Sequence, residues 1–493
     1  MRLFNTMSRS VEDLIPITDK KVGMYACGFT VYDYTHLGHL RKYSMDDVLV
    51  RMLRHEGFDV TFVQNVTDVG HLASDADTGE DKLEKGAKKY GQSVWDVAKK
   101  FEDYFFYSMD AMGNLRPDVS CRATEHISQQ IGMVKQLETK GFTYVIEGDG
   151  VYFDTSKLED YGKLAGLTKE KIEQLKGGAR VEMVDGKRNV TDFALWKFER
   201  PGENRAMSWE SPWAKRGFPG WHIECSAMAI EYLGEQFEIH TGGIDHIDIH
   251  HTNEIAQAES STGKKPFVKY WVHHNHLRVD NEKMSKSLGN FYTIDDVLAR
   301  GFAPQALRLL FLGSHYRSEL NFTWESLAAA QTAWDRLVKQ VGEIKLSLTK
   351  NSSNSSDNFS ELANTFSDQF WSAMRDDLDT PKAMASFWTM LKSDLADEQK
   401  WQLLLEFDQV LGLGVKSIDQ QSYRETAGST IDRTTLPTEV QQLLSERQQA
   451  REQKNWQVSD ELRDKLLQLG YRVEDSDGTQ NIFYNPEALS SIG

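Results

Sequence analysis

An α/β fold built on a parallel sheet, continued by a helical region and ending in a small α+β tail, is predicted by three features of this 493-residue sequence. Two short apolar runs bracket an amphipathic segment near the N-terminus, sheet-like runs return beyond Gln236, and helical periodicity dominates after about Leu307. Strand, helix, strand at such spacing implies parallel pairing, with ligands gathered beyond the strands' carboxyl ends.

The first strand is Val22–Cys27. A helix follows from about Gly38, with Met45, Val48, Leu49, Met52 and Leu53 at helical spacing and Gly57 as its stop. Val60–Val66 is the second strand. From about Pro117 the pattern loosens. Residues 119–205 combine a helix around Ile127–Lys140, a hairpin near Tyr144–Asp154 and polar loops, which predicts an insertion. Gln236–His240 and Phe267–His273 resume the sheet, each beside histidines. Asn351–Ser360 reads as a low-complexity linker, and a second polar stretch covers about Asp419–Thr435. The tail has helices at roughly Thr438–Lys454 and Ser459–Leu469, then Tyr471–Glu474 and Gln480–Tyr484 around a Ser-Asp-Gly turn. Arg447, Arg451, Lys454, Arg463, Lys465 and Arg472 cluster there, with Trp456 and Phe483 placed to stack on bases.

Composition narrows the class. Hydrophobic residues make up 40%, enough for several cores, the length predicts about three or four domains, and three cysteines exclude a disulfide scaffold. No run approaches the ~20 apolar residues that span a bilayer, and Met1–Lys20 lacks the apolar stretch of a signal peptide. A cytoplasmic setting, with no membrane partner, is the expectation. The 57 basic and 74 acidic side chains give a net charge of −17, which opposes wholesale coating of nucleic acid but leaves room for a local basic groove.

Two motifs suggest a nucleotide. His36-Leu37-Gly38-His39 opens the first helix, where free backbone N–H groups and the helix dipole attract phosphate. Lys283-Met284-Ser285-Lys286-Ser287 is a cationic loop able to neutralise a triphosphate. A candidate metal centre is also visible. Eight of the 14 histidines lie between His222 and His276; His250 and Glu254 share a helical face, and Cys27 and Cys225 complete a Cys₂HisGlu set. Spacing leaves His251 open as an alternative to His250, and both cysteines open as buried small apolar groups. Cys121 reads as structural.

The paired motifs resemble the signatures of class I aminoacyl-tRNA synthetases, with Leu37 where isoleucine is usual. Met24–Asp33, Asn65–Asp68, Arg180-Val181, Asp192–Lys197, Pro219–Met228, His250–Gln257 and Glu282–Asn290 together resemble the cysteinyl-tRNA synthetase family, and the likeness runs through nearly the whole chain. The resemblance implies a Rossmann-type catalytic domain whose first half is 1–118, a connective insertion at 119–205 and a second half at 206–275. A stem-contact region at 276–335, a helical bundle at 336–425 and an anticodon-binding domain at 436–493 would follow. It implies zinc on Cys27, Cys225, His250 and Glu254, and L-cysteine near Gly28, Thr67, Trp221 and Asp245. ATP, with Mg²⁺, would contact His36, Gly38, His39, Lys283 and Lys286, with the two histidines and two lysines carrying the catalysis. The implied partner is tRNA(Cys), and the implied state a monomer.

Zinc suits that substrate, because a thiophilic ion separates a thiol from serine's near-isosteric alcohol, which shape alone does poorly. Two departures from the family pattern stand out: Val69–Glu80 adds carboxylates and a histidine, read as a lid or surface loop, and Phe483 lies where tryptophan is common. Two rival readings are a ligase that delivers cysteine to an amino sugar and a non-catalytic RNA-binding paralogue. The tail favours tRNA over the first, and the intact His39, Lys283 and Lys286 favour catalysis over the second.

Overall fold

The computed structural model describes residues 1–70, 81–167, 185–200, 202–350, 359–418, 433, 436, 438–453, 455–469, 471–476 and 479–484. The strands are β1 (Arg2–Asn5), β2 (Ser10–Asp13), β3 (Lys21–Thr30), β4 (Asp59–Thr67), β5 (Val119–Arg122), β6 (Thr143–Ile146), β7 (Gly150–Phe153) and β8 (Phe193–Phe198). They continue as β9 (Gly217–Pro219), β10 (Phe237–Gly243), β11 (Val268–His274), β12 (Leu277–Val279), β13 (Glu282–Lys283), β14 (Leu320–Phe322), β15 (Tyr471–Ser476) and β16 (Thr479–Tyr484). The helices are α1 (Leu37–His55), α2 (Lys82–Tyr90), α3 (Val94–Ala111), α4 (Ile127–Thr139), α5 (Trp221–Leu233), α6 (His250–Thr262) and α7 (Ile294–Ala299). Beyond these come α8 (Pro304–Leu312), α9 (Trp324–Lys350), α10 (Glu361–Arg375), α11 (Thr380–Lys392), α12 (Asp397–Leu411), α13 (Thr438–Glu452) and α14 (Trp456–Gln468).

A five-stranded parallel sheet in the order β11-β10-β3-β4-β5 forms the centre. Helices cover both faces, so β3 is apolar along nearly its whole length, as a doubly covered parallel strand must be. β3 lies between β4, its neighbour in sequence, and β10, more than 200 residues later, which joins the two halves of the sheet at one line. The β3–β4 register shifts between Ala26 and Phe29, a bulge that re-aims Cys27 and Gly28.

The predicted strand-helix-strand start corresponds to β3, α1 and β4. β5 is a correction to the expected boundary at 119: it pairs with β4 in the central sheet, and four residues give too little periodicity to separate it from a loop. The inserted material is an antiparallel sheet in the order β6-β7-β8-β9, which extends past residue 205 to Pro219. The N-terminal hairpin β1–β2 was not anticipated from the charged Met1–Lys20 stretch; Thr6 N–H donates to the Trp271 carbonyl at 2.9 Å and fastens it to β11.

Helices α9 to α12 form the helical region, tied to α1 by the buried Arg308–Asp47 pair and by Arg308 Nε donating to the Leu411 carbonyl at 2.6 Å. In the tail, α13, α14 and the antiparallel β15–β16 hairpin share a core that includes Leu436, Leu444, Leu466 and Ile482. Within the tail's cationic cluster, Arg447 is buried and gives paired hydrogen bonds to Asp475 at 2.9 and 2.7 Å. Arg451 also pairs with Asp475, whereas Trp456 is exposed. The side chains of Lys454, Arg472 and Phe483, and residues 71–80, 180–181, 351–358 and 419–432, lie outside the described residues.

Candidate active site and metal centre

A cavity of about 640 Å³ opens at the carboxyl ends of β3 and β10. Cys27, Gly28, His36, Gly38, His39, Thr67, Trp221, Cys225, Asp245, His250 and Lys283 line it. Of the residues expected from sequence, Glu254 lies beneath this wall and Lys286 outside it.

At one end α1 begins. His36 is its N-cap, and its Nδ1 accepts from the N–H groups of Gly38 at 3.1 Å and His39 at 3.3 Å. His39 Nδ1 accepts from the His36 N–H at 3.3 Å, closing a capping box made of two imidazoles that stack with centroids 3.5 Å apart. With both Nδ1 atoms accepting, a neutral ring carries its proton on Nε2, which remains a donor. Burial lowers the His36 pKa to about 4 and holds that of His39 well below the usual imidazole value, so both act as neutral donors. A methyl group on Gly38 would meet the His36 ring at 3.0 Å, so the glycine makes room for the cap.

The second motif folds against the first. Leu37 N–H donates to the Tyr292 carbonyl at 2.9 Å, and Lys286 Nζ donates to Asp33 Oδ1 at 2.6 Å while standing 4.9 Å from the Phe291 ring. Lys286 therefore rests on the loop after β3. Sequence reasoning missed Asp33, which lies inside the Met24–Asp33 stretch but carries no motif of its own.

At the other end the bulged turn of β3 presents Cys27. Gly28 is obligatory, because a Cβ there would lie 1.5 Å from the Asn65 carbonyl oxygen. Asn65 Oδ1 accepts from the Gly28 N–H at 2.8 Å, and its Nδ2 donates to Thr67 Oγ1 at 2.9 Å, fixing both wall residues. Cys225 sits on α5, one turn after Trp221, and Trp221 packs its ring 4.8 Å from that of His250. α6 projects His250 and Glu254 on one face, with His250 Nε2 3.0 Å from Glu254 Oε1.

Donor atoms of Cys27, Cys225, His250 and Glu254 all lie within 4.8 Å of one another, and all four residues are buried. A second grouping, Cys27, His240, His251 and Glu254, meets the same limit. Only the first presents three of its members to the cavity. His240 Nε2 approaches Glu254 Oε2 at 2.9 Å, and His251 Nε2 reaches Cys27 Sγ at 3.3 Å, so these two histidines back the wall.

The Cys225 thiol is pushed well up by its hydrogen bond to Cys27 and by burial, and burial raises Cys27. Burial opposes ionisation of Glu254, yet His240 and His250 hold its carboxyl well below the usual range. Burial also opposes the His250 cation, but Glu254 and Cys225 push it up to about 10. Two thiols, a carboxylate and an imidazole packed out of water lack a compensating positive charge other than a shared proton. A divalent ion supplies that charge, and two sulfurs with one nitrogen and one oxygen suit zinc.

Parallel sheet, helix-start histidines and cationic loop together define an enzyme of the class I tRNA synthetase fold, and the comparisons agree. Residues 13–332 match the family described as tRNA synthetases class I (C) catalytic domain, and residues 433–482 match the cysteinyl-tRNA ligase anticodon binding domain. The chain is 42% identical to a cysteine–tRNA ligase of Treponema denticola, covering 97% of this chain and 98% of that protein. It is 43% identical to cysteine–tRNA ligase 1 of Burkholderia lata, over 98% and 97% of the two chains. A Mycobacterium tuberculosis methionyl-tRNA synthetase in complex with methionyl-adenylate shares the fold, with a TM-score of 0.55, 15% identity, and 83% and 93% of the chains covered. The chain belongs to the cysteine–tRNA ligase family.

Proposed function

We propose that this chain activates L-cysteine with ATP and transfers it to the 3′ end of tRNA(Cys). The observation that carries the reading is the meeting, in one cavity, of Cys27, Cys225 and His250 with His36, His39 and Lys283. Zinc is assigned to Cys27, Cys225, His250 and Glu254, the grouping that faces the cavity. Bound there, the ion supplies a thiophilic Lewis acid that distinguishes a thiol from an alcohol.

In the first step the cysteine carboxylate oxygen bonds to the α-phosphorus and the bond to pyrophosphate breaks, giving cysteinyl-adenylate, with Mg²⁺ as the phosphates' counter-cation. Asp245, exposed on the cavity wall, offers a carboxylate to the substrate's ammonium; Gly28, Thr67 and Trp221 set the shape of its pocket. His36 and His39 donate from Nε2 to phosphate oxygens, and Gly38 permits their cap. Lys283, at the rim, and Lys286, once it exchanges Asp33 for phosphate, neutralise the charge that develops. In the second step the terminal ribose hydroxyl bonds to the carbonyl carbon and AMP leaves. No side chain forms a covalent bond to substrate; positioning and electrostatics supply the rate.

Residues 436–493 are assigned to anticodon binding, supported by the tail's separate core and exposed Trp456, and this favours tRNA over an amino sugar as acceptor. The remaining units follow the division 1–118, 119–205, 206–275, 276–335 and 336–425, with the first boundary moved past β5 and the second past β9. No described helix is long and apolar enough to cross a membrane, and the three cysteines are free thiols. A cytoplasmic monomer is the reading we adopt. Pyrophosphate exchange with cysteine and with serine tests the assignment: exchange is expected with cysteine and not serine, followed by charging of tRNA(Cys). Zinc-loaded protein that exchanges with neither would refute it.

A further inference from the structure

We propose that Lys42 is a binding residue of this site, its ammonium holding an anionic oxygen of the reactants, and that Asp46 and His274 position it. The inference rests on the adenylate-forming reading above.

Lys42 follows His39 by three residues on α1 and lines the cavity. Its Nζ donates to the Cys27 carbonyl at 2.8 Å and lies 2.8 Å from Asp46 Oδ2. An ammonium has three donors, so one remains, and the side chain is 12% exposed on the cavity side. Asp46 is buried, with its side chain 1% exposed, and its Oδ1 lies 2.9 Å from Nε2 of His274, which lines the cavity from β11. A carboxylate in the core thus fixes the cation through one oxygen, and an imidazole from the facing strand holds that carboxylate through the other.

The position is central. The Lys42 charge acts on His39 at the nucleotide end and on Cys27 and His246 at the metal end. Of the other cations lining the cavity among the described residues, Arg278 pairs with Glu319 and Lys283 is exposed at the rim. Attack of a carboxylate on a phosphoryl group brings two anions together, and a fixed cation between them offsets the repulsion. The carboxylate and the α-phosphoryl oxygen offer the same chemistry, so the experiment separates them.

Lys42→Met in the full zinc-loaded chain removes the charge while keeping the side chain's length. Pyrophosphate exchange gives KM for cysteine, KM for ATP and kcat; cysteamine, which lacks the carboxylate, is measured as a competitive inhibitor. A rise of about tenfold in cysteine KM with cysteamine binding unchanged assigns Lys42 to the amino-acid carboxylate. A similar rise confined to ATP KM assigns it to the nucleotide. A fall of about tenfold or more in kcat with both KM values unchanged assigns it to the transition state.

All parameters within about twofold of wild type, in folded protein with full zinc, would overturn the proposal and leave Lys42 as a tie between α1 and Cys27. Should that variant lose metal or fold, Asp46→Asn, which leaves the lysine but frees it, decides: the same parameter moves about threefold, or the proposal fails. Wild-type protein without cysteine-dependent exchange would fail the functional reading instead, so the two failures are distinguishable.

Discussion

The two ends of the cavity are built on opposite plans. At the metal end every donor is buried and sits on a regular element: Cys27 on bulged β3, Cys225 on α5, His250 and Glu254 on α6, with His240 and His251 behind them. At the nucleotide end His36 and His39 are locked by their own cap, but Lys286 is 47% exposed and paired with Asp33. With zinc on the proposed ligands, choice of amino acid is a matter of groups set in place before substrate arrives, which costs no reorganisation on binding. On the reading proposed above, neutralising a triphosphate falls instead to an exposed cation that exchanges its partner for the ligand.

Breaking the first plan has the largest consequence. Cys225→Ser is expected to lower zinc affinity by more than the about 10–100-fold that follows loss of an outer partner, and to raise cysteine KM in step. Elemental analysis beside exchange kinetics reads both, and full zinc with unchanged KM would contradict the assigned ligand set.

Lys286→Ala attacks the other plan. Adenylate formation is expected to slow about 10²-fold, the order of loss when one donor to the developing charge is removed, with zinc content intact. Thermal stability is expected to move by less than about 1 kcal/mol, because an exposed ion pair contributes little. Single-turnover kinetics and thermal unfolding separate the two quantities.

The smallest effect concerns pH and sharpens the contrast within the nucleotide end. His36 has a folded pKa of about 4 against 6.5 unfolded, so between those values the unfolded chain takes up a proton that the folded chain refuses. Stability is therefore expected to fall as pH drops from 6.5 to about 4. His36→Asn keeps a capping oxygen but removes the titrating ring, and should flatten that slope by up to about 1.4 kcal/mol per pH unit. Denaturant titrations across the window measure it; an unchanged slope would mean that His36 is not held neutral.

Much of this was legible in the sequence, for identifiable reasons. β3, α1 and β4 are long and patterned, and the tail hairpin carries a turn signal. β5 and the β1–β2 hairpin, at four residues a strand, carry too little pattern to be seen. Histidine density pointed to α6, yet spacing alone left His250 and His251 open, because the distinction is which of them faces the cavity. Lys42 and Asp46 escaped notice although one signal was present: an i,i+4 pair of opposite charge among the apolar positions of α1. Arg447 is the converse, a cation that looked like RNA-facing surface and is consumed by Asp475. Charge in a sequence does not say which charges are already spoken for.

The neighbourhood of β3 and β10 has a consequence for synthesis. Cys27 emerges from the ribosome 227 residues ahead of Glu254, an interval of roughly 10–50 s at translation rates of 5–20 residues per second. Cys225 follows Cys27 by 198 residues, and only at the end of the delay do His250 and Glu254 complete the set. An amino-terminal fragment that ends before Glu254 therefore lacks part of the centre, and Cys27 must stay reduced until its partners are made.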